Sequence, residues 1–377
     1  MTEQSKIWLS PPHMGGGEIN LVQEAFETNW IAPVGPHIST FENKLSSLSD
    51  NFHIAALSSG TAAIHLALIL AGVKKGDSVI CSSFTFIASA NPIKYLGAHP
   101  IFIDCEAETW NMCPKLLSRA LNDAVNNNNK PKAIVLTHIY GMPAKIDEII
   151  SVANFFEVPI IEDAAEALGS KYRNKQVGTF GTFGIYSFNG NKIITTSSGG
   201  ALVCKNKKQI EKARFLATQA RDEAVHYEHS EVGYNYRMSN ICAAIGLGQL
   251  NILSDRVIRK REIFNTYRNK LSKVKEISFL KEPKESFSNY WLTTILLEEY
   301  GAIDREKLRS SLAKDNIESR PLWKPMHLQP CFKLCQAYVN GVSESLFNRG
   351  ICLPSGTDMS EEDIGRVVKI IKDLYEV

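Results

Sequence analysis

The chain has 377 residues, 44% apolar and 22% charged, and 42 basic against 40 acidic side chains give a formal net charge of +2. This composition excludes a disordered chain, and the charge balance gives no basic surface for a nucleic acid or a membrane. The length fits about two domains of roughly 150 residues, able to bury a large core without disulfide or metal staples.

The start, Met1–Lys6, is polar and leads into no apolar core, so a signal peptide is not expected. Pro and Gly punctuation follows at Pro11-Pro12, Gly15–Gly17, Pro33 and Gly35-Pro36. It predicts an ordered loop region around one short helix, Glu18–Thr28. From residue 53 to 205, strand-like runs recur at His53–Ser59, Ser78–Phe86, Pro100–Cys105, Lys132–His138, Pro159–Asp163, Gly184–Phe188 and Gly200–Cys204. Several are near-continuous in Val, Ile, Ala and Leu, as strands buried on both faces are. Helical patterns separate them at Thr61–Leu70, Pro114–Ala124, Lys145–Phe156 and Lys207–Ala217. The alternation predicts an α/β fold with a mostly parallel, doubly wound sheet. Ile64–Val73 is the most apolar stretch and is too short to span a bilayer. Asn126–Asn129 and Lys130-Pro131 read as a polar loop.

Past Ser239 a long helical stretch carries Leu250, Leu253, Val257 and Ile258. It leads into a smaller domain with a strand at Trp291–Leu297 and helices at Arg305–Asp315 and Glu361–Tyr375. The expected division is a large domain over 1–255 and a small one over 256–377. The eight cysteines are scattered without a C-x-x-C pair, which predicts reduced thiols and a cytoplasmic protein.

Three motifs carry chemistry, each placed where a parallel sheet binds ligands, just beyond a strand's C-terminal end. Ser58-Ser59-Gly60-Thr61 follows a strand and opens a helix, whose free N–H groups favour a phosphate. Taken alone, it reads more simply as a Ser cap with a Gly turn. Asp163 ends the buried run Ile160–Asp163, where a carboxylate needs a cation or donor. A protonated ring nitrogen would serve; so would a structural ion pair or a helix cap. Glu166 lies near the same mouth. Ser187-Phe188-Asn189-Gly190-Asn191-Lys192 lacks the Gly-Lys-Ser/Thr spacing of a Walker loop. A desolvated lysine in such a turn becomes a nucleophile able to form a Schiff base. An ordinary surface lysine is the alternative there. His226-x-x-His229 has metal-ligand spacing but no third ligand, so no metal is expected. A phosphate cradle, a strand-end acid and a lysine together match the needs of pyridoxal 5'-phosphate.

With these motifs the sequence resembles the DegT/StrS-type sugar-nucleotide aminotransferases, fold type I enzymes that use pyridoxal phosphate. The likeness runs from Leu9–Gly15 to Gly350–Thr357. Between them lie Ser83–Phe86, Glu162–Ala167, Ser187–Lys192, Gly233–Arg237 and Arg320–Lys324. It implies a mostly parallel central sheet flanked by helices and a smaller C-terminal α/β domain. It also implies that Lys192 carries the cofactor and shuttles the proton, and that Asp163 partners the pyridine nitrogen. Phe86 would stack on the ring, with Gly60, Thr61 and Ser187 on the phosphate. Asn235 would reach the phosphate of the neighbouring subunit, which makes a homodimer with shared active sites. Glu166 stands near the ring where relatives often have His or Gln. Ser198 stands where relatives often have Gly. Lys192 itself disfavours a branch of dehydratases that carry His there.

The stretches Ser10–Gly16, Trp30–Gly35, Ser82–Ala90, Gln219–Tyr236 and Arg320–His327 are similar to transaminases of bacillosamine biosynthesis. That likeness implies L-glutamate as donor and C4 of a UDP-linked 4-keto-6-deoxy-N-acetylhexosamine as acceptor. Asn29, Trp30, Ile31, Arg237, Arg320 and His327 would then face the sugar. Two alternatives stay open: amination of another keto sugar, at C3 or on a dTDP- or GDP-linked substrate, and a non-catalytic regulatory protein on the same fold.

Overall fold

The computed structural model describes residues 5–377; Met1–Gln4, the first part of the polar start, lie outside the described residues. Two helices come first, α1 (Glu18–Glu27) and α2 (Pro36–Leu48). Then β1 (His53–Leu57), α3 (Gly60–Leu70), β2 (Ser78–Ser82), α4 (Asn91–Tyr95), β3 (His99–Ile103), α5 (Pro114–Asn126), β4 (Ala133–Thr137), α6 (Ile146–Phe155) and β5 (Ile160–Asp163) alternate. A small hairpin follows, β6 (Lys171–Tyr172) and β7 (Lys175–Gln176), then β8 (Phe183–Ser187), β9 (Gly200–Cys204) and α7 (Lys207–Ala217). Helices α8 (Asn240–Asn251) and α9 (Leu253–Lys270) lead to β10 (Ile277–Phe279), β11 (Ser286–Phe287) and β12 (Thr293–Leu297). The chain closes with α10 (Arg305–Lys314), β13 (Arg320–Pro321), β14 (Ala337–Tyr338), α11 (Val342–Arg349), β15 (Gly350–Leu353) and α12 (Glu361–Leu374).

The large sheet runs β1-β9-β8-β5-β4-β2-β3-β14. Every neighbouring pair from β8 to β14 is parallel, and β9 alone runs against both of its neighbours. The strands β2, β4, β5, β8 and β9 are buried along their whole length, because helices cover both faces of the sheet. This is the expected fold class. Side chains at helix starts satisfy otherwise unpaired amides. Ser59, Asn206, Ser239 and Asp304 each accept from a first-turn N–H, and Ser360 with Asp363 forms a capping box. A second, antiparallel sheet runs β10-β12-β15-β13. Ile263, Tyr267, Ile295, Leu308, Ile351, Val367 and Ile371 fill its core, and Ile7 from the chain start joins them.

Two features depart from the sequence reading. Residues 36–48 are helical, not loop: Pro36 is the first helical residue and Ile38, Phe41 and Leu45 face inward. The long stretch after Ser239 is two helices, α8 and α9, bent by 61°. Among the described residues, no single helix is long and apolar enough to cross a membrane.

Candidate active site

The parallel strands and β1 deliver their C-terminal ends to one edge of the large sheet. A cavity of about 270 Å³ opens there, lined by segments that follow β1, β2, β4, β5 and β8, with Trp291 and Trp323 from later in the chain. Gly60, Thr61, Phe86, Asp163, Glu166, Ser187 and Lys192 all line it. Seven of the positions singled out in sequence, more than 130 residues apart at the extremes, thus meet in one cavity.

At one end lies the first turn of α3. The Ser59 hydroxyl accepts from Ala62 N at 3.0 Å, and the N–H groups of Gly60 and Thr61 have no partner inside the helix. Three chain segments converge on this turn. A Cβ on Gly200 would lie 2.3 Å from Gly60 N, and one on Gly60 would lie 3.2 Å from Ser187 Cβ. Only glycine at 200 lets β9 pass beneath the turn. Ser198, the departure from the family pattern, is accommodated. The left-handed residue of this loop is its neighbour Ser197 (φ 69°), and the Ser198 hydroxyl donates to Ser58 O at 2.8 Å.

At the other end, Asp163 is buried, with no helix beyond it to cap. Its Oδ1 accepts from Ala165 N at 3.2 Å and its Oδ2 from the Ser89 hydroxyl at 2.5 Å. Phe86 is 47% exposed at the mouth, its ring 5.1 Å from that of Trp323. The Lys192 side chain is 12% exposed; its Nζ sits 3.8 Å from Glu166 Oε1 and 4.3 Å above the Trp291 ring. The Trp291 indole in turn donates to Asn191 O at 2.7 Å, which pins the residue before the lysine. Glu166 accepts from Tyr140 N at 2.7 Å. Burial pushes its carboxyl up to about 7, against the pull of Lys192 and the Tyr140 amide.

The remaining predicted residues do not line this chain's own cavity. Arg237 donates to Glu42 Oε1 at 2.5 Å and to Ala56 O at 3.0 Å, so its guanidinium is committed to an internal ion pair. Arg320 is exposed and paired with Glu318 at 2.8 Å. His327 Nδ1 lies 2.6 Å from the Ser83 hydroxyl. Asn29, Trp30 and Ile31 lie exposed in the α1–α2 connection, and Asn235 is exposed on the segment between α7 and α8. His226 pairs with Glu228 at 3.4 Å, and His229 meets Gln219 O at 2.9 Å. Sequence reasoning placed Ser59 in the phosphate-cradle motif but gave no separate role to Thr85, Ser89, Thr137, Trp291 or Trp323. Two tryptophans among five in the whole chain were the available signal.

The geometry suits pyridoxal phosphate, and comparison with known proteins gives a family that depends on it. Residues 12–372 match the DegT/DnrJ/EryC1/StrS aminotransferase family. EpsN of Bacillus subtilis (strain 168), assigned to the pyridoxal phosphate-dependent aminotransferases, is 53% identical over 98% of this chain and 96% of its own. GDP-perosamine synthase of Escherichia coli O157:H7 is 40% identical over 97% of each chain. Among solved structures, Spr1654 of Streptococcus pneumoniae, assigned as a sugar aminotransferase, superposes in its PLP-form with a TM-score of 0.90 and 26% identity over 99% of each chain. The chain belongs to the DegT/DnrJ/EryC1/StrS aminotransferase family. It is a pyridoxal-phosphate-dependent sugar aminotransferase.

The residues present fit that cofactor. The close-packed glycines leave a cradle of amides and hydroxyls at the first turn of α3, suited to a phosphate. Asp163, held by donors on both oxygens, still faces the cavity, and a half-exposed aromatic lies at its mouth.

Proposed function

We propose that this enzyme moves an amino group from L-glutamate to C4 of a UDP-linked 4-keto-6-deoxy-N-acetylhexosamine. The product is a UDP-linked 4-amino-4,6-dideoxy sugar for a surface glycan or for protein glycosylation. The observation that carries the aminotransferase step is the placing of Lys192, Asp163 and the first turn of α3 in one cavity. The choice of sugar rests on the likeness of residues 10–16, 30–35, 82–90, 219–236 and 320–327 to bacillosamine transaminases.

Bound here, pyridoxal phosphate supplies an aldehyde that captures the amine and a ring that accepts the electron pair released at the donor's α-carbon. The protein supplies the rest. Lys192 Nζ, on the cavity wall, would remove the Cα proton of glutamate and later return a proton to the sugar carbon. Its partial burial keeps water from that proton. Asp163 would hold a proton on the ring nitrogen of the bound cofactor. Gly60, Thr61 and Ser187 would hold the phosphate, and Phe86 would stack on the ring. Glu166 sits 3.8 Å from Lys192, close enough to act on its charge.

The working unit in this proposal is a cytoplasmic homodimer. Asn235 is exposed and away from its own cavity, as a residue reaching a neighbour's phosphate must be. The exposed Trp30, Ile31 and Val34 offer apolar surface for a second copy. Within each chain we keep the division near residue 256, with two exchanges. Ile7 pairs with Ile317, and β14 pairs with β3 at the edge of the large sheet.

A second reading, a GDP-linked keto sugar, is favoured by the likeness to GDP-perosamine synthases. The test is product analysis with glutamate and a panel of UDP-, dTDP- and GDP-linked 4-keto-6-deoxy sugars. We expect the highest kcat/KM on the UDP-linked N-acetyl substrate. Preference for the GDP-linked sugar would overturn the UDP assignment and leave the aminotransferase in place.

A further inference from the structure

Behind Asp163 lies a row of buried hydroxyls that the mechanism above does not use. The Ser89 hydroxyl donates to Asp163 Oδ2 at 2.5 Å. Its single proton is then spent, so the 2.7 Å contact between Ser89 and Thr85 has Thr85 as donor. Thr137 donates to Thr85 at 3.0 Å. All three are buried, Ser89 completely. The row therefore has one polarity: Thr137 to Thr85 to Ser89 to Asp163. It links the end of β4, the turn after β2 and the end of β5, three adjacent strands of the sheet. Hydrogen bonds aligned head to tail polarise one another, and their sum falls on the last acceptor.

We propose that Thr137, Thr85 and Ser89 form a one-way hydroxyl relay that fixes the Asp163 carboxylate in the position and orientation in which it meets the cofactor's ring nitrogen. The proposal rests on the reading of Asp163 as the partner of that nitrogen. Ser89 does not line the cavity, so it acts only through Asp163; it is a positioning residue. Thr85 and Thr137 do line the cavity, and their direct contacts must be separated from the relay.

The separation uses two ligands that bind without a bond to Lys192: pyridoxamine phosphate, and its analogue with a carbon in place of the ring nitrogen. Dissociation constants are measured on the full-length protein freed of cofactor. Ser89→Ala should weaken pyridoxamine phosphate about tenfold, as loss of one hydrogen bond to a charged group does. It should leave the carbon analogue unchanged. Thr137→Val should weaken pyridoxamine phosphate about threefold, and should add nothing on the Ser89→Ala background, because the relay is already cut. Should Ser89→Ala not fold, Ser89→Gly removes the same hydroxyl outside the cavity lining and is read in the same way. If Ser89→Ala weakens both ligands equally, or neither, the hydroxyls only pack and the relay is overturned. Asp163→Asn separates the two failures. If it abolishes the preference for pyridoxamine phosphate while Ser89→Ala keeps it, the relay alone falls. If wild type and Asp163→Asn bind both ligands alike, the role of Asp163 falls, and the relay with it.

Discussion

Glu166 shows how burial sets chemistry at a single residue. Its carboxyl is pushed up to about 7 by burial; Lys192 and the Tyr140 amide oppose that, and Asp163 adds to it. Between the ordinary value of 4.5 and about 7, the folded chain holds a proton that the unfolded chain has lost. The stabilisation is complete below about 4.5 and is lost as pH rises through about 7. Unfolding free energies of the cofactor-free chain and of Glu166→Gln, measured from pH 4 to 8, should diverge in this window. The wild type should lose of the order of 3 kcal/mol relative to the variant. Parallel curves would mean that Glu166 is an ordinary carboxylate. At this scale the sequence shows the ends of strands. Asp163 and Lys192 are legible because each follows a buried run or a Gly-rich turn. Ser89 and Thr137 are not, because a hydroxyl gains its role from partners on other strands. Arg237 carries the opposite lesson. It stands in a family motif, yet Glu42, from α2 almost 200 residues earlier, takes its guanidinium.

Among the elements, the parallel strands were legible to within a few residues, since burial on both faces leaves an unbroken apolar run. Helix α2 was hidden by Gly35-Pro36, read as loop punctuation. Proline is also at home at the first helical position, and Ile38, Phe41 and Leu45 carry the helical spacing. The two-residue strands β13 and β14 have too little sequence for any pattern. The segment between α7 and α8 carries Asn235, for which we propose a role at the neighbour's site. It is tied down by bridges from Asn235 to Thr218 and from Arg237 to Leu57, and the Asn235 side chain is left outward. If Asn235 serves the neighbour's site, mixing Lys192→Ala and Asn235→Ala subunits should restore activity that neither variant shows alone. Each mixed dimer then has one intact site, with Lys192 from one chain and Asn235 from the other. Without restoration on confirmed subunit exchange, Asn235 does not act across the interface.

At the scale of the whole molecule, the large and the small sheet both support the loop that carries Lys192. Asn191 O, next to Lys192, takes the Trp291 indole from just before β12 and, at 3.4 Å, the Ser10 hydroxyl. Lys260, buried on α9, donates to Ser10 Oγ at 2.9 Å and to Trp291 O at 3.0 Å. Burial pushes its amine down to about 7, so a neutral amine can serve both acceptors. The small sheet and the chain start thus brace the lysine that the large sheet presents. The near-neutral charge offers no basic surface, so in the proposed reading a nucleotide sugar would be held by a few placed groups. The central claim is that Lys192 is the residue that carries the cofactor in this aminotransferase. Borohydride reduction of the pyridoxal-phosphate-loaded protein, followed by peptide mass analysis, tests it directly. One reduced pyridoxyl-phosphate adduct is expected on the peptide containing Lys192, lost on pre-incubation with glutamate. An adduct on another lysine, or the same adduct mass in Lys192→Ala, would contradict it.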